Sequence, residues 1–121
     1  YQIQLPSGRT VNYRDPELKN GLSAVIPRGG KMMRLPFWAG TLIENATQAF
    51  ARDIFMDRVL ALREAGVDIV LRVHDEVVVE VDASSAINDA KDIEQILCTN
   101  PEWGKSLPSG AEAESMDRYK K

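Results

Sequence analysis

An α+β fold of antiparallel β-hairpins packed with two main helices is predicted by three observations. Apolar residues recur at helical spacing over residues 41–65 and again over 84–98. Between them, residues 69–82 (IVLRVHDEVVVEVD) set two β-rich runs around the polar tripeptide His74-Asp75-Glu76. Near the N-terminus, Pro6-Ser7-Gly8 interrupts an extended segment with turn-forming residues. A length of 121 residues suits one domain with a modest core.

Taken in order, residues 1–14 are expected to form a β-hairpin around Pro6-Ser7-Gly8. Residues 15–40 are weakly patterned and punctuated by Gly21, Pro27, Gly29, Gly30, Pro36 and Gly40, so they are expected to be loop with one short strand. The periodic stretch that follows predicts a helix. Thr41 followed by Glu44 has the form of a capping box, and Gly66 offers the left-handed residue that ends a helix. Leu42, Ile43, Ala46, Ala49, Phe50, Ile54, Phe55, Val59, Leu60 and Leu62 make a broad apolar face.

The 69–82 hairpin is expected to lie against the core. A second helix over 84–98 would bury Ala86, Ala90, Ile93, Ile96 and Leu97, with Asn100-Pro101 as its stop. The tail is expected to pack back by Trp103, Leu107 and Tyr119. The chain thus divides into hairpin and loop (1–40), helix (41–66), hairpin (67–82), helix (83–100) and tail (101–121). It begins at Tyr1 rather than methionine, so either a leader has been removed or the chain is a piece of a longer polypeptide, the latter being expected.

Two features point to chemistry. At the hairpin tip, a loop can present His74, Asp75 and Glu76 to a ligand, and adjacent carboxylates are costly to hold together unless a cation neutralises them. On the first helix, Asn45, Gln48 and Arg52 at i, i+3 and i+7 share a face of amide and guanidinium donors, suited to a sugar edge, a minor-groove acceptor or a phosphate. A plain solvated helix face remains the alternative for this stripe, and Asp53, Asp57 and Glu64 form another polar stripe.

The net charge of −3 is unevenly spread. Residues 1–40 hold six basic side chains (Arg9, Arg14, Lys19, Arg28, Lys31, Arg34) against Asp15 and Glu17, whereas residues 41–121 hold nine basic and sixteen acidic. A basic segment beside an acidic site suits a protein that grips phosphates and binds metal ions, although solvated loop charges would give the same count. No apolar run is long enough for a bilayer span and no hydrophobic leader is present, so an intracellular protein is expected. The single cysteine, Cys98, is expected to be a buried small hydrophobe.

Three motifs occur in a telling order: Leu5-Pro6-Ser7-Gly8-Arg9, then residues 44–53 (ENATQAFARD), then Val73-His74-Asp75-Glu76-Val77. That order resembles the C-terminal part of the palm of a family A, DNA polymerase I-like DNA polymerase. The Glu-Asn-x-x-Gln-Ala form, and Pro101-x-Trp103 followed by Tyr119-Lys120, resemble the phage and prophage branch. The resemblance implies a polymerase palm subdomain whose motif C is His74-Asp75-Glu76. By it, Asp75 is a ligand of the catalytic metal pair, two Mg²⁺ ions with Mn²⁺ as a substitute. Glu76 is an accessory carboxylate, and His74 helps to seat the primer terminus.

Gln48 matches a glutamine that faces the minor groove, with Arg52 on the same stripe, and Arg9 matches a turn near the DNA backbone. Asn45 lies three residues before Gln48, where some relatives carry an asparagine four before. The implied partners are primer–template DNA and dNTP, in a phage-encoded protein or the cytoplasm of a bacterial host.

The departures are equally specific. The family's first metal-binding aspartate, its fingers helix, its exonuclease and its thumb have no counterpart in the 121 residues. The isolated chain is therefore expected not to polymerise DNA. Two other readings stand beside this one. The chain could be a non-catalytic prophage remnant or interaction module, self-associating through uncovered sheet surface. It could be a metal-dependent hydrolase using His74, Asp75 and Glu76 directly, a reading weakened because three neighbouring residues do not readily face one ion and no second histidine is present.

Overall fold

The computed structural model describes residues 1–108 and 110–119. Lys120, cited above with Tyr119, lies outside the described residues. The α+β class holds: antiparallel strands in small sheets accompany two α-helices. The chain forms two compact units, Tyr1–Ala51 and Arg52–Lys121, and the long first helix contributes its two halves to them.

In the first unit, β1 (Gln2–Gln4) and β2 (Thr10–Asn12) form the expected antiparallel hairpin, with Ile3 opposite Val11. Its turn closes through Gly8 N–H donating to Leu5 O at 2.9 Å and Leu5 N–H donating to Arg9 O at 2.8 Å. Gly8 sits at φ +87°, where a β-carbon would be strained. Leu5 and Tyr13 are buried, and the Tyr13 ring meets the edge of Phe37 at 5.2 Å between centroids.

Residues 15–40 correct the expectation of a loop with one short strand. They belong to a three-stranded antiparallel sheet of β3 (Arg14–Glu17), β4 (Leu22–Arg28) and β5 (Lys31–Phe37) in the order β3-β4-β5. Gly29 and Gly30, both at positive φ (58° and 76°), make the two-residue turn between Arg28 and Lys31. Two positive φ values in succession are what a tight hairpin needs to match strand twist. The two prolines escape the usual penalty because of register. Counted from the closing pair Arg28/Lys31, Pro27 and Pro36 fall on the alternate pairs that exchange no ladder hydrogen bonds. Ala24 is fully buried beneath this sheet.

Helix α1 runs over Ala39–Glu64, starting two residues before Thr41. Leu42 N–H reaches Trp38 O at 3.3 Å, so Thr41 lies inside the first turn and the expected capping box does not form. The C-terminus is as expected. Gly66, at φ +82°, donates to Arg63 O and Val67 N–H donates to Leu62 O, both at 3.0 Å. These are the two reverse bonds of a Schellman motif, which satisfy carbonyls the helix leaves open.

The second unit buries Ile54, Val59 and Leu62 of α1 with Ile93 of α2 (Ala86–Cys98). Burying one such side chain stabilises by roughly 1.5–3 kcal/mol, which makes Leu62, at 0 % exposure, the centre of this core. The apolar face is narrower than expected, since Ile43 and Leu60 are exposed. Cys98 is exposed as well, being the last residue of α2 and beyond the Ile93–Leu97 face.

The tail docks by two side-chain pairs. Trp103 Nε1 donates to Asp57 Oδ2 at 3.0 Å, and Arg58 Nη2 donates to Asn100 Oδ1 at 2.7 Å. Asp57, expected on the second polar stripe of the helix, is thus part of the packing.

Candidate active-site hairpin

β6 (Ile69–Val73) and β7 (Glu76–Val79) pair antiparallel, with Val73 opposite Glu76 and a bulge between Ile69 and Leu71. The predicted tripeptide therefore divides. His74 and Asp75 alone make the turn, and Glu76 is the first residue of β7. No glycine is needed because His74 takes the left-handed conformation (φ 54°), which histidine tolerates better than most residues.

The hairpin is not sunk into a core. Val70 and Leu71 are exposed, because a two-stranded ribbon has two faces and one lacks a covering element among the described residues. Arg72 Nη1 reaches Met56 Sδ at 3.2 Å, which ties β6 to the second half of α1.

His74, Asp75 and Glu76 are all exposed. Asp75 makes no hydrogen bond or ion pair among the described residues, so its carboxylate is open to a ligand. Glu76 differs. Its Oε2 accepts from the Tyr119 hydroxyl at 3.3 Å, and residues 112–119 run with β7 and α2 around a groove of about 490 Å³. The Tyr119 hydroxyl is raised above 10.0 by partial desolvation and then by the charge and hydrogen bond of Glu76. The sequence marked Tyr119 as an anchor but carried no sign that its partner would be Glu76, 43 residues away.

Arg9, Asn45 and Gln48 belong to the first unit, and Arg52 with the hairpin belongs to the second. Arg9 Nη2 donates to Ala49 O at 2.9 Å, fastening the first hairpin to α1. Asn45 is half-buried and donates from Nδ2 to the Tyr13 hydroxyl at 3.0 Å, so its amide is engaged inside the unit. Gln48 and Arg52 are exposed on α1, and Gln48 Nε2 lies 3.4 Å from Glu44 Oε1.

The donor type at the tip, an open carboxylate, fits a hard cation such as Mg²⁺. The donor number does not: among the described residues, no group of three or more His, Cys, Asp or Glu side chains comes together. These residues by themselves do not hold a metal pair.

The fold and the hairpin define an α+β protein that presents a free carboxylate at a strand turn. Comparison with known proteins adds a specific likeness. The DNA polymerase of Bacillus phage SP02 is 37% identical over 127 residues, covering 98% of this chain and 19% of that polymerase. The chain spans about a fifth of the length of this curated relative. No protein-family model matches the chain, and no solved structure matches it. No helix among the described residues is long and apolar enough to cross a membrane.

Proposed function

We propose that this chain is part of a DNA-directed DNA polymerase of the family A, DNA polymerase I-like type, from a phage or prophage, and that it forms the C-terminal palm region. The likeness to a phage DNA polymerase over 98% of the chain carries the reading. The unengaged Asp75 at a tight strand turn supports it. In the whole enzyme the reaction is template-directed transfer of a nucleotidyl group from dNTP to a primer 3′-hydroxyl.

Asp75 supplies one carboxylate to the metal site, and the remaining ligands come from outside this chain's described residues. Bound magnesium, or manganese in its place, supplies charge neutralisation at the phosphates and a more acidic primer hydroxyl. Glu76, steadied by Tyr119, adds negative potential beside Asp75. His74 is placed at the turn to contact the primer terminus. Gln48 and Arg52 face the minor groove and backbone of the primer–template from α1. Arg9 holds its turn close to the backbone while anchored on Ala49, and Asn45 acts through Tyr13 as a support.

The test is primer extension by the whole polymerase carrying Asp75→Ala. Nucleotide addition is expected to fall by orders of magnitude with primer–template affinity nearly unchanged, because a metal carboxylate acts on the chemical step. A near-normal rate would remove Asp75 from the metal site and with it the motif C assignment.

Exposed Val70, Leu71 and Ile87 favour a second reading, a non-catalytic remnant that self-associates through these faces. Analytical ultracentrifugation of the chain alone decides whether it does. Self-association is expected for an uncovered palm piece too, so only the extension assay separates the two readings.

A further inference from the structure

The chain has five asparagines, and the structure sets one of them apart. An asparagine loses its side-chain amide when the backbone nitrogen of the next residue attacks its Cγ, so the state of that nitrogen decides which asparagine reacts. Tyr13 N–H, following Asn12, donates to Tyr1 O at 2.8 Å. Ala46, following Asn45, lies inside α1, and Asn45 itself donates to the Tyr13 hydroxyl. Asp89 N–H, following Asn88, donates to Ser85 O at 3.0 Å. Asn100 precedes Pro101, whose ring nitrogen has no proton to give up, and its carboxamide is held by Arg58 and Leu107.

Asn20-Gly21 differs on each count. It lies in the turn between Glu17 and Ser23, which pair across β3 and β4, and an isolated bridge joins Lys19 to Gly21. Lys19, Asn20 and Gly21 are exposed, and the Asn20 carboxamide makes no hydrogen bond among the described residues. Gly21 stands at φ +98°, with no atom within 4 Å of where a β-carbon would point. Carboxamide and nitrogen can therefore meet with no side chain in the way. A single bridge among exposed residues opens at low cost, unlike a helix or a ladder.

We propose that Asn20 is a modification site at which the folded chain deamidates spontaneously, with water as the only co-reactant. Hydroxide takes the Gly21 N–H proton, and the nitrogen attacks Asn20 Cγ. The new N–Cγ bond closes a five-membered succinimide, the Cγ–Nδ2 bond breaks, and Nδ2 leaves as ammonia with a proton from water. Water then opens the ring. Cleavage at Cγ gives aspartate, and cleavage at the backbone carbonyl gives isoaspartate. Either way a neutral amide becomes a carboxylate, in a segment (residues 1–40) that holds six basic and two acidic side chains. The isoaspartyl form also lengthens the backbone of the β3–β4 turn by one carbon. The site uses none of the 69–79 hairpin and stands independently of the polymerase reading.

The test is to age the whole 121-residue chain in neutral and in mildly alkaline buffer, then map its peptides by mass spectrometry and measure released ammonia. Conversion at Asn20 to both aspartate and isoaspartate is expected before any loss at Asn12, Asn45, Asn88 or Asn100. The rate should rise with pH, because the attacking nitrogen must first lose its proton. Asn20→Gln should abolish the early ammonia release, since its longer side chain would have to close a six-membered ring. That substitution lies on an exposed turn where little packing is at stake, and circular dichroism checks that it folds. A parallel sample unfolded in urea shows what the sequence does without the fold. The proposal is overturned if the folded chain keeps the Asn20 amide, whether or not the unfolded chain loses it. It is overturned equally if another asparagine converts first, or if Asn20→Gln leaves ammonia release unchanged.

Discussion

The indole N–H of Trp103 donates to Asp57 Oδ2 at 3.0 Å, joining a short 3₁₀ turn (Glu102–Gly104) to a helix 46 residues earlier in the chain. Next to Asp57, Arg58 holds Asn100 at 2.7 Å, and Asn100 Nδ2 donates to Leu107 O at 2.8 Å. Consecutive residues of one helix thus clasp both the end of α2 and the start of the tail.

Trp103→Phe keeps most of the ring's apolar surface and deletes the donor, leaving a half-buried carboxylate without it. A hydrogen bond to a charged acceptor contributes about 1.5–3 kcal/mol, so a loss near the lower end of that range is expected, read from urea denaturation midpoints. A double-mutant cycle with Asp57→Asn should show the two losses to be non-additive, and full additivity would mean that the bond contributes nothing.

Gly66→Ala places a β-carbon at φ +82°, where it crowds the following carbonyl. The Schellman bonds of Gly66 and Val67 hold this residue in place, so the backbone cannot relax without opening them. Destabilisation of about 1–2 kcal/mol is expected in thermal or chemical unfolding. An unchanged midpoint would show that the helix ends elsewhere in solution.

The Tyr119–Glu76 contact has a definite pH signature. The Tyr119 hydroxyl is raised above 10.0 in the folded chain, so the folded form holds this proton more tightly than the unfolded one. Its contribution to stability is fully present below the unfolded value and is lost as pH rises through the raised one. The stability difference between the parent and Tyr119→Phe should therefore stay constant up to about pH 10 and then shrink. In Glu76→Gln the alkaline shift of the Tyr119 absorbance should move back toward the ordinary tyrosine value. A tyrosine titration blind to Glu76 would mean the two groups do not meet.

Under the polymerase reading, Gln48→Ala should slow primer extension chiefly by misplacing the primer–template, raising the apparent KM for DNA several-fold. Thr47, exposed on α1 one position away, is the suitable control, because Asp57 is held by Trp103 and is not a bare surface charge. Equal effects of Gln48→Ala and Thr47→Ala would return the stripe to an ordinary solvated face.

What could be read directly was what neighbouring residues decide among themselves. The stop at Gly66, the face of α2, the turn at Pro6-Ser7-Gly8 and the strand pair around His74-Asp75-Glu76 each follow from torsional preference and apolar spacing within about a dozen residues. The sheet over residues 14–37 was missed because its prolines and glycines look like loop punctuation. Only the register shows that Pro27 and Pro36 fall where no ladder bond is needed and that Gly29-Gly30 is a tight hairpin turn.

The candidate site divides in the same way. The sequence alone placed Asp75 at a strand turn, because that follows from two β-rich runs with a polar break between them. Tertiary structure alone decided that Glu76 is held by Tyr119, that Asn45 is engaged with Tyr13, and that Asp57 belongs to the packing. Those partners lie 32 to 46 residues apart in the chain. A side chain's partner at such separation is set by how the elements come together, and local propensity carries no information about it.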